Sequence, residues 1–248
     1  MSDRPIARGR AGPPRQAHRR ERHRRNFSTR LNWLRAGVLG ANDGIISTAG
    51  LVVGVAAATT STTAIATAGL AGLVAGATSM ALGEYVSVSS QRDTEQALVV
   101  QERDELARLP VAEHQELVHM LEERGLSEET AQRAAEELAA HDELGAHLEL
   151  ELGLDRTNMT NPFAAAGSSA VAFTAGALVP LVAILIAPAG ARILVTAVAV
   201  LVALVVTGVV SARLGQHGTV RAVARLVGGG ALALVVTYLV GELLGAAI

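Results

Sequence analysis

The sorting of charge along this chain constrains it more than any other feature. Outside residues 1–35 and 92–156 the sequence keeps only three acids, Asp43, Glu84 and Glu242, and four arginines. A domain folded in water covers its exterior with polar and charged side chains, and these stretches have almost none. An ordinary soluble enzyme is thereby excluded. The absence of cysteine excludes a disulfide scaffold, and an apolar content of 50% excludes a disordered chain. The charge that remains is segregated: residues 1–35 hold 11 Arg against 2 acids, and residues 92–156 hold 18 acids against 6 Arg. A basic tail is not a folded basic face, so nucleic acid is not expected as a partner. The expected class is an all-α integral membrane protein with an Arg-rich tail (1–35) and an acidic helical insert.

A spanning helix needs about 20 predominantly apolar residues. Residues 36–90 fit two spans, about 36–58 and 64–90, divided by the polar run at 59–63. Residues 161–248 fit three more, about 163–187, 191–212 and 223–247, with Pro188-Ala189-Gly190 between the first two. Five spans are expected, with the acidic insert (91–160) between the second and third. The Asn-Asp-Gly inside the first span is foreign to a removable signal sequence, and Gly and Pro interrupt any presequence-type helix before residue 15. Arginine placement orients the chain: the head has 11 and the turn after span four has Arg213, Arg221 and Arg225, whereas the 59–63 loop has none. Head and acidic insert are therefore expected in the cytoplasm and the C-terminus outside. On span two, Gly72, Gly76, Ala77 and Ala81 form a small-residue face, which suits either packing within the chain or a homodimer seam.

Within the insert, a helix continuing span two should stop at Pro110, and a second should run over about 111–124 to Gly125. Ser127 is the expected N-cap of a third, reaching about His141, and a last turn or two carries His147. Turn chemistry follows at Thr157-Asn158 and Asn161-Pro162. Glu102 and Glu105 share one helix face, as do Glu113 and Glu116. A fold at Pro110 would set the pairs opposite each other, where a divalent cation would relieve their repulsion. So acidic a segment also produces such pairs as a solvated face, and spacing alone leaves both readings open. Glu116 and His119 have the spacing of a di-iron ligand pair, in a single copy.

Inside the bilayer, Asp43 is expected near the middle of span one and Glu84 in the second half of span two, with Met80 one turn before it. A mid-bilayer carboxylate costs roughly 2.5–3.5 kcal/mol on insertion scales. No basic residue within a span is available to neutralise either acid, so each is protonated or balanced by a passing cation. Competition of metal and proton for one carboxylate is the chemistry of a proton-coupled carrier. A thioether such as that of Met80 biases a site towards transition metals.

Four segments resemble the vacuolar iron transporter family. They are 40–48 (Gly-Ala-Asn-Asp-Gly-Ile-Ile-Ser-Thr), 79–87 (Ser-Met-Ala-Leu-Gly-Glu-Tyr-Val-Ser) followed by 90–93, Asn161-Pro162 leading to 176–181, and 229–241. The resemblance covers about residues 30–248. It implies a homodimer of five-span subunits that exchanges cytoplasmic Fe2+, or Mn2+, for protons, with no organic cofactor. It implies metal ligands at Glu102, Glu105, Glu113, Glu116 and Glu151, and transport residues at Asp43 and Met80, with Glu84 in the same motif. Plant-type members carry a methionine pair where this chain has His147 and Leu148, which makes His147 a candidate replacement ligand. The rival readings are a membrane-anchored, ferritin-like di-iron oxidase and a metal-sensing membrane scaffold. Arginine used without any lysine suggests a high-GC genome and a bacterial plasma membrane. The Arg-rich head then acts as a topology signal or contacts anionic lipid.

Overall fold

The computed structural model describes residues 18–154, 161–215 and 218–247, with side-chain environments from residue 37 onward. Residues 1–17 of the Arg-rich tail and the turn expected at Thr157-Asn158 lie outside the described residues. Seven helices and no strand occur among those described: α1 (His18–Ala58), α2 (Thr62–Arg108), α3 (Pro110–Glu123), α4 (Glu128–Leu150), α5 (Pro162–Ile186), α6 (Arg192–Gly215) and α7 (Thr219–Ala247). Five segments are long and apolar enough to cross a membrane: Gly37–Ala58 of α1, and α2, α5, α6 and α7. The chain is an all-helical integral membrane protein with the five spans that its hydropathy predicts.

Local chemistry starts these helices where the sequence changes character. Ser61 Oγ accepts the Ala64 N–H at 3.3 Å and opens α2. Asn161 Oδ1 accepts the N–H groups of Phe163 and Ala164 at 3.0 and 3.4 Å, and Pro162 then occupies a first-turn position that needs no donor.

Helix α1 is the axis of the bundle and packs against α2, α5, α6 and α7. Glycine makes the closest crossings possible. A Cβ on Gly44 would strike the Phe173 carbonyl, and one on Gly176 would strike the Ala41 carbonyl, so α1 and α5 meet backbone to backbone. The α1–α7 crossing uses Gly54 and Gly241 in the same way. Between helices in lipid, such contact supplies the dispersion energy that water cannot. Ile45, Ala49, Val52 and Val53 of α1 join Ile65, Leu181, Ile184, Val200, Leu204 and Leu234 in one buried core. Val171, Val182, Val198, Val206 and Leu243 face outward, as lipid contact requires. Gly72 and Gly76 point inward, one seating Leu51 of α1 and the other the ring of Phe173. These two glycines thus serve packing within the chain.

At 47 residues, α2 is about 70 Å long, more than twice the ~30 Å hydrocarbon core. Its second half therefore projects from the bundle. There α3 and α4 pack on each other through Leu117, Met120, Leu121, Ala131, Ala135 and Ala146. Pro110 begins α3 directly after the α2 stop, and Gly125 takes a left-handed φ of 94° after α3, as the sequence predicts. Ser127 does stand at the N-cap of α4, but its Oγ pairs with Thr130 Oγ1 at 2.9 Å instead of a backbone N–H. Helix α4 breaks at Asp142 (φ −159°, ψ 85°), whose Oδ1 accepts the Gly145 N–H at 3.0 Å. This cap starts the short segment that delivers His147 and Glu151. Arg124 ties that segment down, donating from Nη1 to the Met120 carbonyl at 2.8 Å and from Nη2 to the Leu150 carbonyl.

Candidate metal-ion site and membrane cavity

Three helices converge on His147. Its Nδ1 lies 3.1 Å from Glu102 Oε1 of α2, 3.8 Å from Glu113 Oε2 of α3 and 3.7 Å from Glu151 Oε2 at the end of α4. Glu102, Glu113 and His147 are buried, while Glu151 reaches the surface. Glu102, His147 and Glu151 each offer a ligand atom within 4.8 Å of the others. Ligands at about 2.1 Å from an octahedral ion stand about 3.0 Å apart along an edge, close to the His147–Glu102 spacing. The 3.1 Å contact is within ion-pair distance but lacks hydrogen-bond geometry. Glu102 Oε1, His147 Nδ1 and His147 Nε2 are all shielded from solvent without a hydrogen-bond partner among the described residues. Buried polar atoms rarely stay unpaired, because each costs about 1–3 kcal/mol. Carboxylate oxygens and an imidazole nitrogen that face one point without bonding each other form a donor set suited to a divalent transition metal.

Electrostatics strengthen this reading. Burial foremost, and then the charges of Glu151, Glu113, Glu105 and Glu116, push the Glu102 carboxyl up from 4.5 to about 7. Glu113 is also raised, by burial and by Glu116, with His147 partly opposing the rise. A cation among these groups would remove the repulsion that holds protons on them.

The expected ligands divide into two sets. Glu102, Glu113, His147 and Glu151 come together. Glu105 and Glu116 are more exposed and act on the site through their charge, and Glu105 accepts a hydrogen bond from Gln101 at 3.1 Å. His119, expected beside Glu116, is exposed and lies 3.8 and 3.5 Å from Glu122 and Glu123.

About 33 Å along α2 from Glu102, at 1.5 Å per residue, Met80 lines a second feature. Asp43, Ser47 and Thr48 of α1, Gly72, Gly76, Ser79 and Met80 of α2, and Phe173 of α5 line a partly open cavity of about 220 Å3. Gly72 and Gly76 leave the room for it, since a side chain at either would occupy the space that Leu51 and Phe173 hold. Asp43 and Met80, 37 positions apart in the chain, thus share one cavity. Glu84 is half-buried one turn beyond Met80 and does not line the cavity; its neighbour Tyr85 packs its ring at a tilt against Phe163, with centroids 5.0 Å apart. Sequence reasoning missed Phe173, Ser47 and Thr48 as cavity residues, because only the α1–α5 crossing reveals them. It also missed Arg192, which is buried and donates to the Thr60 carbonyl and Thr62 Oγ1 at 3.4 and 3.3 Å, tying α6 to the α1–α2 turn.

Five candidate spans, an acid and a thioether in one cavity between them, and a carboxylate–imidazole cluster on the projecting part of α2 define a polytopic membrane protein with two candidate cation sites. Residues 34–242 match the VIT family. The chain is 40% identical to a vacuolar iron transporter of Acanthamoeba castellanii, over 90% of this chain and 82% of that one. It is 38% identical to vacuolar iron transporter homolog 2 of Arabidopsis thaliana, over 89% of this chain and 88% of that protein. It is 39% identical to vacuolar iron transporter homolog 5 of Oryza sativa, over 86% and 81%. The chain belongs to the VIT family, whose members are transporters and not enzymes.

Proposed function

We propose that this protein exports Fe2+, and Mn2+ through the same ligands, from the cytoplasm in exchange for protons. The observation that carries the reading is the shared cavity of Asp43 and Met80 at membrane depth. A carboxylate there binds either a proton or a metal ion, so release of one accompanies uptake of the other. The Met80 thioether favours a transition metal over Mg2+ or Ca2+. The names of the relatives support iron as cargo. The cluster of Glu102, Glu113, His147 and Glu151 collects the ion on the cytoplasmic side, where arginine placement also sets the N-terminal head. The ion then passes to Asp43 and Met80, and protons returning inward reload the carboxylates. Glu84 stands at the approach to the cavity.

A homodimer fits this scheme. Asp43 is exposed on the surface of a single bundle, and only 11% of the most apolar window of α2 is buried within the chain. A carboxylate facing lipid is costly, and a second subunit would cover it. The proposed setting is a bacterial plasma membrane with the C-terminus outside.

Fe2+ flux into proteoliposomes under an imposed pH gradient, with an internal pH dye, tests the reading. Metal and protons should move in opposite directions, and Asp43→Ala should abolish both fluxes while metal binding by the α3–α4 region persists. Asp43→Ala transporting as fast as wild type would sink the path assignment.

A further inference from the structure

Thr48 lines the cavity and carries a buried hydroxyl with no hydrogen-bond partner among the described residues. The residue is 2% exposed, and its Oγ1 is shielded from solvent. A helical Ser or Thr ordinarily returns its hydroxyl to the carbonyl four residues back. Ser47 does so at 2.6 Å, Thr196 at 2.7 Å, and Thr174 and Thr237 at 2.8 Å. Thr48 departs from that pattern beside the cavity that holds Asp43, where its neighbour Ser47 keeps the bond. Valine would fill the same volume without stranding a polar atom, so packing does not account for the oxygen.

Position along the helix suggests its use. Thr48 lies five residues nearer the α1–α2 turn than Asp43, about 7.5 Å along the axis. Beyond it, the buried face of α1 is apolar, with Ala49, Val52 and Val53 packed against Ile65, Leu181 and Ile184. Thr48 is therefore the last buried polar group on α1 before the packed core.

We propose that Thr48 Oγ1 is a direct ligand for the transported divalent cation at the deep end of the cavity. This inference rests on the reading of the Asp43 cavity as the transport path. A neutral oxygen replaces one water of the ion's hydration shell without adding charge. It can draw the ion off Asp43 and still let it leave, which conduction requires.

The test uses the full chain in proteoliposomes with Mn2+, Fe2+ and Cd2+ as cargo, comparing wild type with Thr48→Val, Thr48→Ser, Thr48→Cys and Asp43→Ala. Thr48→Val should lower Mn2+ and Fe2+ flux about tenfold or more, with Mn2+ binding at the His147 cluster unchanged. Thr48→Ser, which keeps the oxygen, should stay within about twofold of wild type, and Thr48→Cys should raise the Cd2+ to Mn2+ flux ratio about fivefold or more. The ligand role is overturned if folded Thr48→Val transports like wild type, or if Thr48→Ser is as impaired as Thr48→Val. Should Thr48→Val fail to fold, an unchanged Cd2+ to Mn2+ ratio in Thr48→Cys overturns it equally. A normal Asp43→Ala removes the path itself, whereas an inactive Asp43→Ala beside a normal Thr48→Val removes the Thr48 proposal alone.

Discussion

Replacing Glu102 with Gln separates a metal ligand from a structural carboxylate, because the two roles predict opposite signs. In the folded, metal-free chain the Glu102 carboxyl is pushed from 4.5 to about 7 by burial and its acidic neighbours. The folded state therefore holds this proton more tightly than the unfolded state. As pH rises from 4.5 to 7 the unfolded chain ionises first and stability falls; the cost is absent below this window and complete above it. A shift of this size corresponds to about 3 kcal/mol at pH 8 and about a quarter of that at pH 5. Gln has the shape of the protonated acid and never ionises. Glu102→Gln should therefore stabilise the metal-free protein at pH 8, raising the melting temperature on the order of 5–10 °C, with a much smaller rise at pH 5. Mn2+ at a hundred times its Kd should add about 2.7 kcal/mol to the wild type and nothing to the variant. Thermal unfolding of the detergent-solubilised full chain at both pH values, with and without Mn2+, reads all four quantities. A variant less stable than wild type at both pH values, yet stabilised by Mn2+ as before, would refute the reasoning.

Three further outcomes follow from the same geometry. Metal must displace the proton on Glu102, so affinity should fall about tenfold per pH unit below 7; calorimetry in two buffers of different ionisation enthalpy measures the released proton, and a flat affinity between pH 5 and 7 contradicts the assignment. His147→Leu removes the one nitrogen donor of the cluster, so Mn2+ and Fe2+ affinity should drop about tenfold or more while Ca2+ binding changes little, as titrations of each ion will report. Gly176→Ala places a Cβ on the Ala41 carbonyl and should cost about 1–3 kcal/mol by forcing α1 and α5 apart. Gly83→Ala, where nothing lies within 4 Å, is the control and should leave the melting temperature unchanged or raised.

Local interactions explain what could be read in advance. The spans were legible because the bilayer demands long uncharged runs whatever surrounds them. The stops at Pro110 and Gly125 and the break before His147 follow from backbone chemistry that acts within a few residues: a missing donor, a left-handed φ, and the carboxylate of Asp142 capping a new segment. Helical spacing put Glu102 with Glu105 and Glu113 with Glu116, and the fold buries one member of each pair. Spacing said nothing about which member of each pair turns inward.

The amino-acid sequence by itself determined the class of protein, the number of membrane-crossing helices and the inventory of acids, imidazoles and thioether from which cation chemistry is built. Only the tertiary structure decided the selection among them. Glu102 and Glu113 meet His147 because α4 folds back on α2 and α3, while Glu105 and Glu116 remain at the rim. Asp43 and Met80 share a cavity because Gly44 and Gly176 let α1 and α5 touch, and because Gly72 and Gly76 face inward. Thr48 is distinguished from Thr174, Thr196 and Thr237 by an unmade hydrogen bond, which no residue pattern encodes. Spacing along a helix fixes which side chains share a face; which neighbour that face meets depends on contacts between residues tens of positions apart, and those exist only once the helices have packed.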